Sequence, residues 1–379
     1  MLLRFAFRNL LRHRARTVIS VTAIGFSVIS MLLAGGFIEW IFWTMRESTI
    51  HSQLGHIQVV VPGYHRSGAA DPFNYLLPYK SAEKSIIESM PGVSLVAPRI
   101  SFSGLVSFGD NSISFVGEGV DAIKEIEVSQ NLHIAEGNGL SGEQGNEVLL
   151  GAGLARNLGS SPGDRIVLLV STASGGINAV EAEVRGLFYT SSKPYDDSVL
   201  RVPHALANRL LRVAGTHKWI VLLRDTADTD DMIANLRDNF HKKSSKYELV
   251  PWHRLSDFYN KTVVLFSRQM NVLWVLITVI IGLTISTTLI RGMQERVGEI
   301  GTLMALGDRR ALILKLFLSE GLLLGIVGGT AGVLMGVALA YIVSYIGIPM
   351  PPPPGMSHGF LGEIKVDGAL TLQALAMAI

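Results

Sequence analysis

Three stretches of this chain run for more than twenty residues without a charge: Thr17–Ile38, Gln269–Ile290 and Gly321–Met350. About 20 apolar residues carry a helix across ~30 Å of hydrocarbon. In lipid every backbone amide must find its partner inside its own segment, so the helix is the form such runs take. A fourth charge-free run opens at Gly368 and reaches Ile379. It is too short to span and shows no evident cap. It is expected to be the first half of a fourth helix, with its remainder lying beyond Ile379. The first run is longer than the apolar part of a cleaved leader, so an uncleaved helix is expected there.

Orientation follows from the basic segments. Arg4, Arg8, Arg12, Arg14 and Arg16 precede the first span, and Arg291, Arg296, Arg309, Arg310 and Lys315 lie between the second and third. The positive-inside bias places both segments in the cytoplasm. The bulk of the chain, from about Glu39 to Arg268, then lies outside, as does the Pro-rich loop Pro349–Asp367. Within the first sixteen residues, Leu2, Leu3, Phe5, Ala6, Leu10 and Leu11 alternate with Arg4, Arg8 and Arg12. That pattern predicts a basic amphipathic helix lying on the membrane surface over residues 1–16.

Composition narrows the function. Only 17% of residues are charged and 48% are hydrophobic, against about 25% charge in ordinary soluble domains. The net charge of +2 leaves no overall basic footprint for nucleic acid. With no cysteine, thiol nucleophiles, disulfides and Cys-ligated metals are excluded.

The outside segment, 53–251, reads as an α+β domain inserted between the first and second spans. Gly55–Val61, Val93–Ala97, Trp219–Leu223 and Tyr247–Val250 are predicted strands. Ser81–Met90, capped by Ser81, and Thr229–Phe240 are predicted helices. Two β-α-β units at its ends suggest a split, ferredoxin-like layer. The β-rich insertion between them, about 100–203, is expected to contain strands Leu105–Phe108, Ile113–Gly117, Glu147–Leu150, Arg165–Val170, Val180–Leu187 and Val199–Val202. Leu140-Ser141-Gly142-Glu143-Gln144 resembles the signature sequence of ABC ATPases, but no G-x-x-x-x-G-K-[ST] loop occurs in the chain. It is read as a polar turn. His51, His56 and His65 lack zinc-type spacing. No catalytic residue and no metal site is predicted.

Between the second and third spans, Val297, Ile300, Leu303, Met304 and Leu306 give an apolar face to a short helix over about 295–306. Glu295, Arg296 and Glu299 form its charged side, and Gly307 a left-handed cap. Such a helix suits a groove on a cytoplasmic partner. Glu295-Arg296-Val297-Gly298-Glu299-Ile300-Gly301-Thr302-Leu303-Met304-Ala305-Leu306-Gly307 resembles the R-x-x-E-I-G-x-L-x-A-L-G stretch of ABC permeases of the MacB/LolC–LolE/FtsX superfamily. Ser319–Gly325, Gly328–Gly332, Ala6–Thr17, Val148–Ala155 and Pro162–Asp164 are similar to further parts of that family. The resemblance implies a helical membrane domain of four spans, the fourth truncated here, carrying a large α+β extracytoplasmic domain. It implies a bacterial cytoplasmic (inner) membrane location, with the N-terminus in the cytoplasm. It also implies a second permease subunit, identical or paralogous, and a separate cytoplasmic ABC ATPase dimer that holds ATP and Mg while this chain binds no cofactor. A periplasmic or outer-membrane partner is a further expectation. On this reading the chain is not itself an enzyme.

Small residues recur along the third span: Gly321, Gly325 and Gly329 on one line, Gly328, Gly332, Gly336 and Ala340 on another. Such lines let helix backbones approach closely in lipid. Glu320 is expected to be an interfacial acid paired with Lys315 or Arg310. Leu255, Phe258, Tyr259, Thr262, Phe266 and Met270 recur at i+3/i+4 ahead of the second span. The second helix is therefore expected to run unbroken from about Leu255 through Leu289, its outer part forming a stalk of roughly 27 Å. The uncharged spans argue against an ion-coupled transporter. Two functions stay open: a permease half that works mechanically on a lipoprotein, lipid or peptide-like cargo, and an ATPase-coupled sensor or scaffold that transports nothing.

Overall fold

The computed structural model of the chain describes residues 8, 10, 12, 14–68, 70–130, 132–142, 145–190, 192–242, 247–307, 309–351 and 359–379. Most of the amphipathic segment expected at 1–16 lies outside the described residues. Two compact units emerge. One comprises Met1–Thr44, Lys261–Met350 and Phe360–Ile379, the other Met45–Asn260 and Pro351–Gly359.

The elements, in chain order, begin with helix α1 (Arg14–Thr49), which closes in a π-turn over Ile50–Leu54. Strand β1 (Ile57–Val60), helix α2 (Ala82–Glu88) and strands β2 (Val93–Phe108) and β3 (Asn111–Val120) follow. Then come β4 (His133–Gly137), β5 (Glu147–Gly151), α3 (Ala152–Leu158), β6 (Arg165–Ser171), β7 (Ile177–Tyr189), β8 (Val199–Pro203) and α4 (His204–Leu211). The sheet ends with β9 (Lys218–Leu223), α5 (Thr229–Lys242) and β10 (Glu248–Pro251). The helices α6 (Asp257–Glu295), α7 (Val297–Ala305), α8 (Arg310–Ile346) and α9 (Gly368–Ala378) complete the chain.

Among the described residues of the second unit, ten strands join one sheet, in the order β10-β1-β9-β2-β3-β8-β5-β7-β4, with β6 pairing β2 and β7. The units β1-α2-β2 and β9-α5-β10 interleave, so that β9 lies between β1 and β2 and β1 between β9 and β10. This is the split β-α-β arrangement. Trp219, Val221, Ile233 and Leu236 centre its core, while Ile100, Val106, Leu150 and Leu168 belong to the core of the remaining strands. Ser81 caps α2 by accepting the Lys84 N–H at 3.1 Å.

One strand is longer than its residue pattern suggests. The strands expected at Val93–Ala97 and Leu105–Phe108 are a single strand, β2, shared by both cores. Its middle carries Pro98 and Arg99, which hide the alternation. Pro98 fits because it faces a neighbouring strand on one side only, opposite Trp219, before pairing with β3 begins at Arg99.

In the first unit, α1, α6 and α8 are each long and apolar enough to cross a membrane. The glycines of α8 divide between partners. A Cβ at Gly332 would stand 2.8 Å from the Gly25 carbonyl and from Val28, and one at Gly336 2.8 Å from Leu32, so this line meets α1. Gly325 and Gly329 face Ala378 of α9, and Gly321 faces Ile285 and Leu289 of α6. Helix α9 has a cap after all: Asp367 accepts the N–H groups of Ala369 and Leu370.

The second long helix starts later than expected. Leu255 belongs to a separate helical turn, Trp252–Leu255, held by buried Trp252 against Ile50 and Leu222. Ser256 leaves helical geometry (φ −101°, ψ 69°), and its carbonyl accepts the Asn260 N–H at 3.0 Å. It sits at the N-cap of α6, although its buried hydroxyl makes no capping bond among the described residues. Of the other stalk residues, Phe258 is exposed, Tyr259 meets Trp252 edge-on, Phe266 meets Phe42 of α1 edge-on, and Met270 is buried.

Substituting Gly332 by Leu should force α1 and α8 apart and cost about 1–3 kcal/mol. At Gly282 a Cβ meets nothing within 4 Å, so Gly282→Ala should be neutral or gain up to about 1 kcal/mol from helix propensity. Thermal unfolding of both variants in detergent compares them.

Candidate functional site

The segment joining α6 to α8 is tied down by charge at three points. Arg296 interrupts the helix between α6 and α7 (φ −119°, ψ 22°) and buries its side chain. Its Nη1 donates to Glu320 Oε1 of α8 at 3.4 Å, in a pair whose side chains are 8% and 3% exposed. Glu320 therefore pairs with Arg296 rather than with Lys315 or Arg310, because the turn at Arg296 points the guanidinium inward. Glu295 is the last residue of α6, outside the short helix, and accepts from Arg16 at 3.3 Å. Glu299, on α7, accepts from Arg12 at 3.4 Å. Gly292 lies beside them, and a Cβ there would meet the Arg16 guanidinium, which would have to swing aside. Higher up, the Ser20 and Thr288 hydroxyls meet at 2.7 Å.

Helix α7 therefore covers Val297–Ala305 rather than 295–306. Leu306 closes it by donating to the Thr302 carbonyl at 3.0 Å, and Gly307 takes the left-handed conformation at φ 97°. Val297 is 65% exposed, Met304 41% and Leu306 80%, while Ile300 is half-buried. The Leu303 side chain lies outside what is described. An apolar face is thus open on a helix whose base is pinned by the Arg296–Glu320 pair. An apolar cavity of about 240 Å³ between Met293 of α6 and Phe317 of α8 adjoins the same end of the helices.

The second unit holds a feature that local sequence pattern did not reveal. Arg99 on β2 and Arg201 on β8 are 0% and 1% exposed. Arg99 donates to the Gln53 carbonyl at 2.6 Å and to Glu125 at 2.5 Å. Arg201 donates to the Ser52 carbonyl at 2.7 Å, to Glu125 and Ser129 at 2.8 Å each, and to the Tyr195 hydroxyl at 3.0 Å. Tyr195 in turn donates to Glu118 at 2.9 Å. Burial would raise the Glu118 carboxyl, but Arg99, Arg201 and Lys218 outweigh it and hold it at about 2. Three cations face two carboxylates here. The Ser52 and Gln53 carbonyls, at the negative end of the helix that begins as α1, supply the remaining acceptors.

Three histidines of this unit are pushed down by burial to about 4: His56, His204 and His217. His56 Nδ1 accepts the Leu223 N–H at 3.1 Å, and His217 Nδ1 accepts the Ser101 N–H at 3.0 Å. Both rings must be neutral at that nitrogen to do so. In the signature-like stretch, the Ser141 amide and hydroxyl donate to Glu147 at 2.6 and 2.8 Å. Glu143 and Gln144 lie outside the described residues.

Residues 17–239 match the family model of the MacB-like periplasmic core domain, and residues 271–379 that of the FtsX-like permease C-terminal region. Curated relatives include the macrolide export ATP-binding/permease protein MacB of Acinetobacter baylyi, 23% identical over 353 residues, covering 88% of this chain and 50% of that one. The protein of the same description from Escherichia coli strain K12 is 24% identical over 374 residues, covering 94% and 54%. The chain thus spans about half the length of the curated relatives it matches. Among solved structures, the periplasmic region of MacB from Actinobacillus actinomycetemcomitans aligns over 56% of this chain and 95% of that one, with 13% identity and a TM-score of 0.40.

Two outcomes are expected. The histidines bind protons more weakly folded than unfolded, so stability should fall as pH drops from about 6.5 toward 4. Each contributes at most about 3 kcal/mol. Below about 4.5 the unfolded chain also takes up a proton at Glu118 that the folded chain, held at about 2, refuses, so the loss should continue past the histidine window. Melting of the full chain in detergent, from about pH 7.5 down to about pH 3, spans the histidine window and the upper part of the Glu118 one. At the other end of the chain, Arg296→Met or Glu320→Leu alone should cost about 3–5 kcal/mol and the double variant much less, because each single change strands a buried charge.

Proposed function

This chain belongs to the family of ABC transporter permeases with a MacB-like periplasmic core domain and an FtsX-like C-terminal region, and we propose that it converts ATP-driven closure of a separate ATPase into movement of its sheet domain. The observation that carries this reading is α7: a helix with an open apolar face, based on a buried ion pair, between two helices long enough to span a bilayer. Docked in a groove of a cytoplasmic ABC ATPase dimer that holds ATP and Mg, α7 would be pushed when the ATPase closes. Arg296 would hand that push to α8 through Glu320, and α6 would carry it as a rigid rod. An inner-membrane location with the sheet domain outside fits the positive-inside count. A second permease subunit, identical or paralogous, would complete the assembly, with a periplasmic or outer-membrane protein as a further partner. The name of the relatives makes a macrolide the first cargo to test, beside lipoproteins, lipids and peptides. A sensor or scaffold would share the same coupling and differ only in moving nothing.

Reconstitution with the cognate ATPase separates these. Glu299→Arg or Leu303→Asp should abolish ATPase co-purification while leaving the melting temperature of the permease nearly unchanged. If both variants still hold and stimulate the ATPase, α7 is not the contact. A proline at Val263 costs a helix about 3 kcal/mol and makes a hinge. It should leave ATP hydrolysis near normal and stop cargo release. Cargo release that survives the hinge would rule out α6 as the rod. Coupled hydrolysis with no cargo moved in the unmodified protein would favour the scaffold.

A further inference from the structure

Three arginines from three separate elements line one cavity of about 490 Å³ in the sheet unit. Arg66 comes from the helical turn Tyr64–Ser67, Arg237 from α5 and Arg254 from the turn Trp252–Leu255. All three are exposed. The lining also includes Phe240 and Leu249, both 6% exposed, together with Pro62 and Tyr247. The one carboxylate in the lining, Glu248, has an oxygen engaged by the Gly63 N–H at 2.9 Å. The cavity lies against β10, the edge strand of the sheet, whose outer backbone groups pair with no strand among the described residues.

Arginines with a structural task in this unit meet acids. Arg99 and Arg201 meet Glu118 and Glu125, Arg165 meets Glu181, and Arg185 meets Glu147. Among the described residues none of Arg66, Arg237 and Arg254 has a carboxylate partner. Like charges gathered around one concavity repel, and no carboxylate pairing offsets that repulsion among the described residues. Their forks are suited to phosphate oxygens, which they can hold bidentately. The apolar floor suits a short hydrocarbon or ring attached to that phosphate.

We infer that this cavity binds a phosphate ester of net negative charge, with no cationic group of its own, carrying an apolar body. Two sources share that chemistry: the headgroup of an anionic phospholipid, and a soluble phosphate ester. The inference does not rest on the transport reading, since binding requires neither an ATPase nor a cargo, and its failure would leave the role of α7 untouched.

The full chain in a nonionic detergent is titrated calorimetrically with dihexanoyl phosphatidate, inorganic phosphate and, as the zwitterionic control, dihexanoyl phosphatidylcholine. Phosphatidate should bind, and the pair Arg237→Gln/Arg254→Gln should weaken it by about tenfold or more, the worth of one or two charge-assisted hydrogen bonds. Arg156→Gln, on α3, should change nothing. Binding by phosphatidate but not by phosphate assigns a lipid-like ligand, and binding by both assigns a soluble phosphate ester. Should the double variant melt early, Arg66→Gln and the charge-keeping Arg237→Lys replace it, with loss expected in the first and retention within about threefold in the second. The inference is overturned if phosphatidate does not bind, if phosphatidylcholine binds as tightly, or if the arginine variants bind like the unmodified chain.

Discussion

Two buried guanidiniums hold the end of a helix. The first and last turns of any helix leave backbone groups without partners, and the helix that begins at Arg14 ends among buried side chains, where an orphan carbonyl is costly. Arg99 and Arg201 answer the Ser52 and Gln53 carbonyls directly. The arginines are themselves tolerated in a buried place only because Glu118, Glu125 and Tyr195 surround them. Because Arg99 sits where β2 exchanges one neighbour for another, and Arg201 on β8, this network also joins the strands of the two cores. Helix end, carboxylates and sheet are thus held by one set of interactions, and a change in any member leaves a buried charge or carbonyl unanswered.

The helical unit solves a different problem with different chemistry. Apolar side chains gain nothing from leaving lipid for one another, so its helices associate through close packing. Glycines on α8 permit that approach on three sides, toward α1, α6 and α9. Among the described residues the ion pairs of this unit lie at the basic end, where Arg12, Arg16 and Arg296 meet Glu299, Glu295 and Glu320. The first two pairs are more open to solvent than the third and are worth little individually. The buried Arg296–Glu320 pair sits where α6 stops and α7 starts, and burial makes loss of either partner costly.

Much of this was legible from residue order. Charge-free runs longer than a bilayer is thick allow only helices, and the recurring small residues of α8 announced close packing. The alternation along Arg165–Ser171 and Ile177–Tyr189, and the capping serine of α2, rest on contacts within a few residues, so local pattern suffices for them. The apolar face of α7 was visible for the same reason.

What required the tertiary structure was every choice among distant partners. Glu320 has Lys315 and Arg310 near it in sequence, yet it pairs with Arg296, because the non-helical turn before α7 aims that side chain inward. Which glycine line of α8 meets which helix depends on how the helices are arranged, a matter on which spacing along one helix is silent. The merged strand β2 escaped notice because Pro98 and Arg99 read locally as a break. Only the neighbouring strands reveal that the proline faces one partner and that the arginine has carboxylates to bury against. Periodicity reports which face of an element is apolar, whereas the pairing of buried charges is decided by residues far apart in the chain that folding brings within hydrogen-bonding distance.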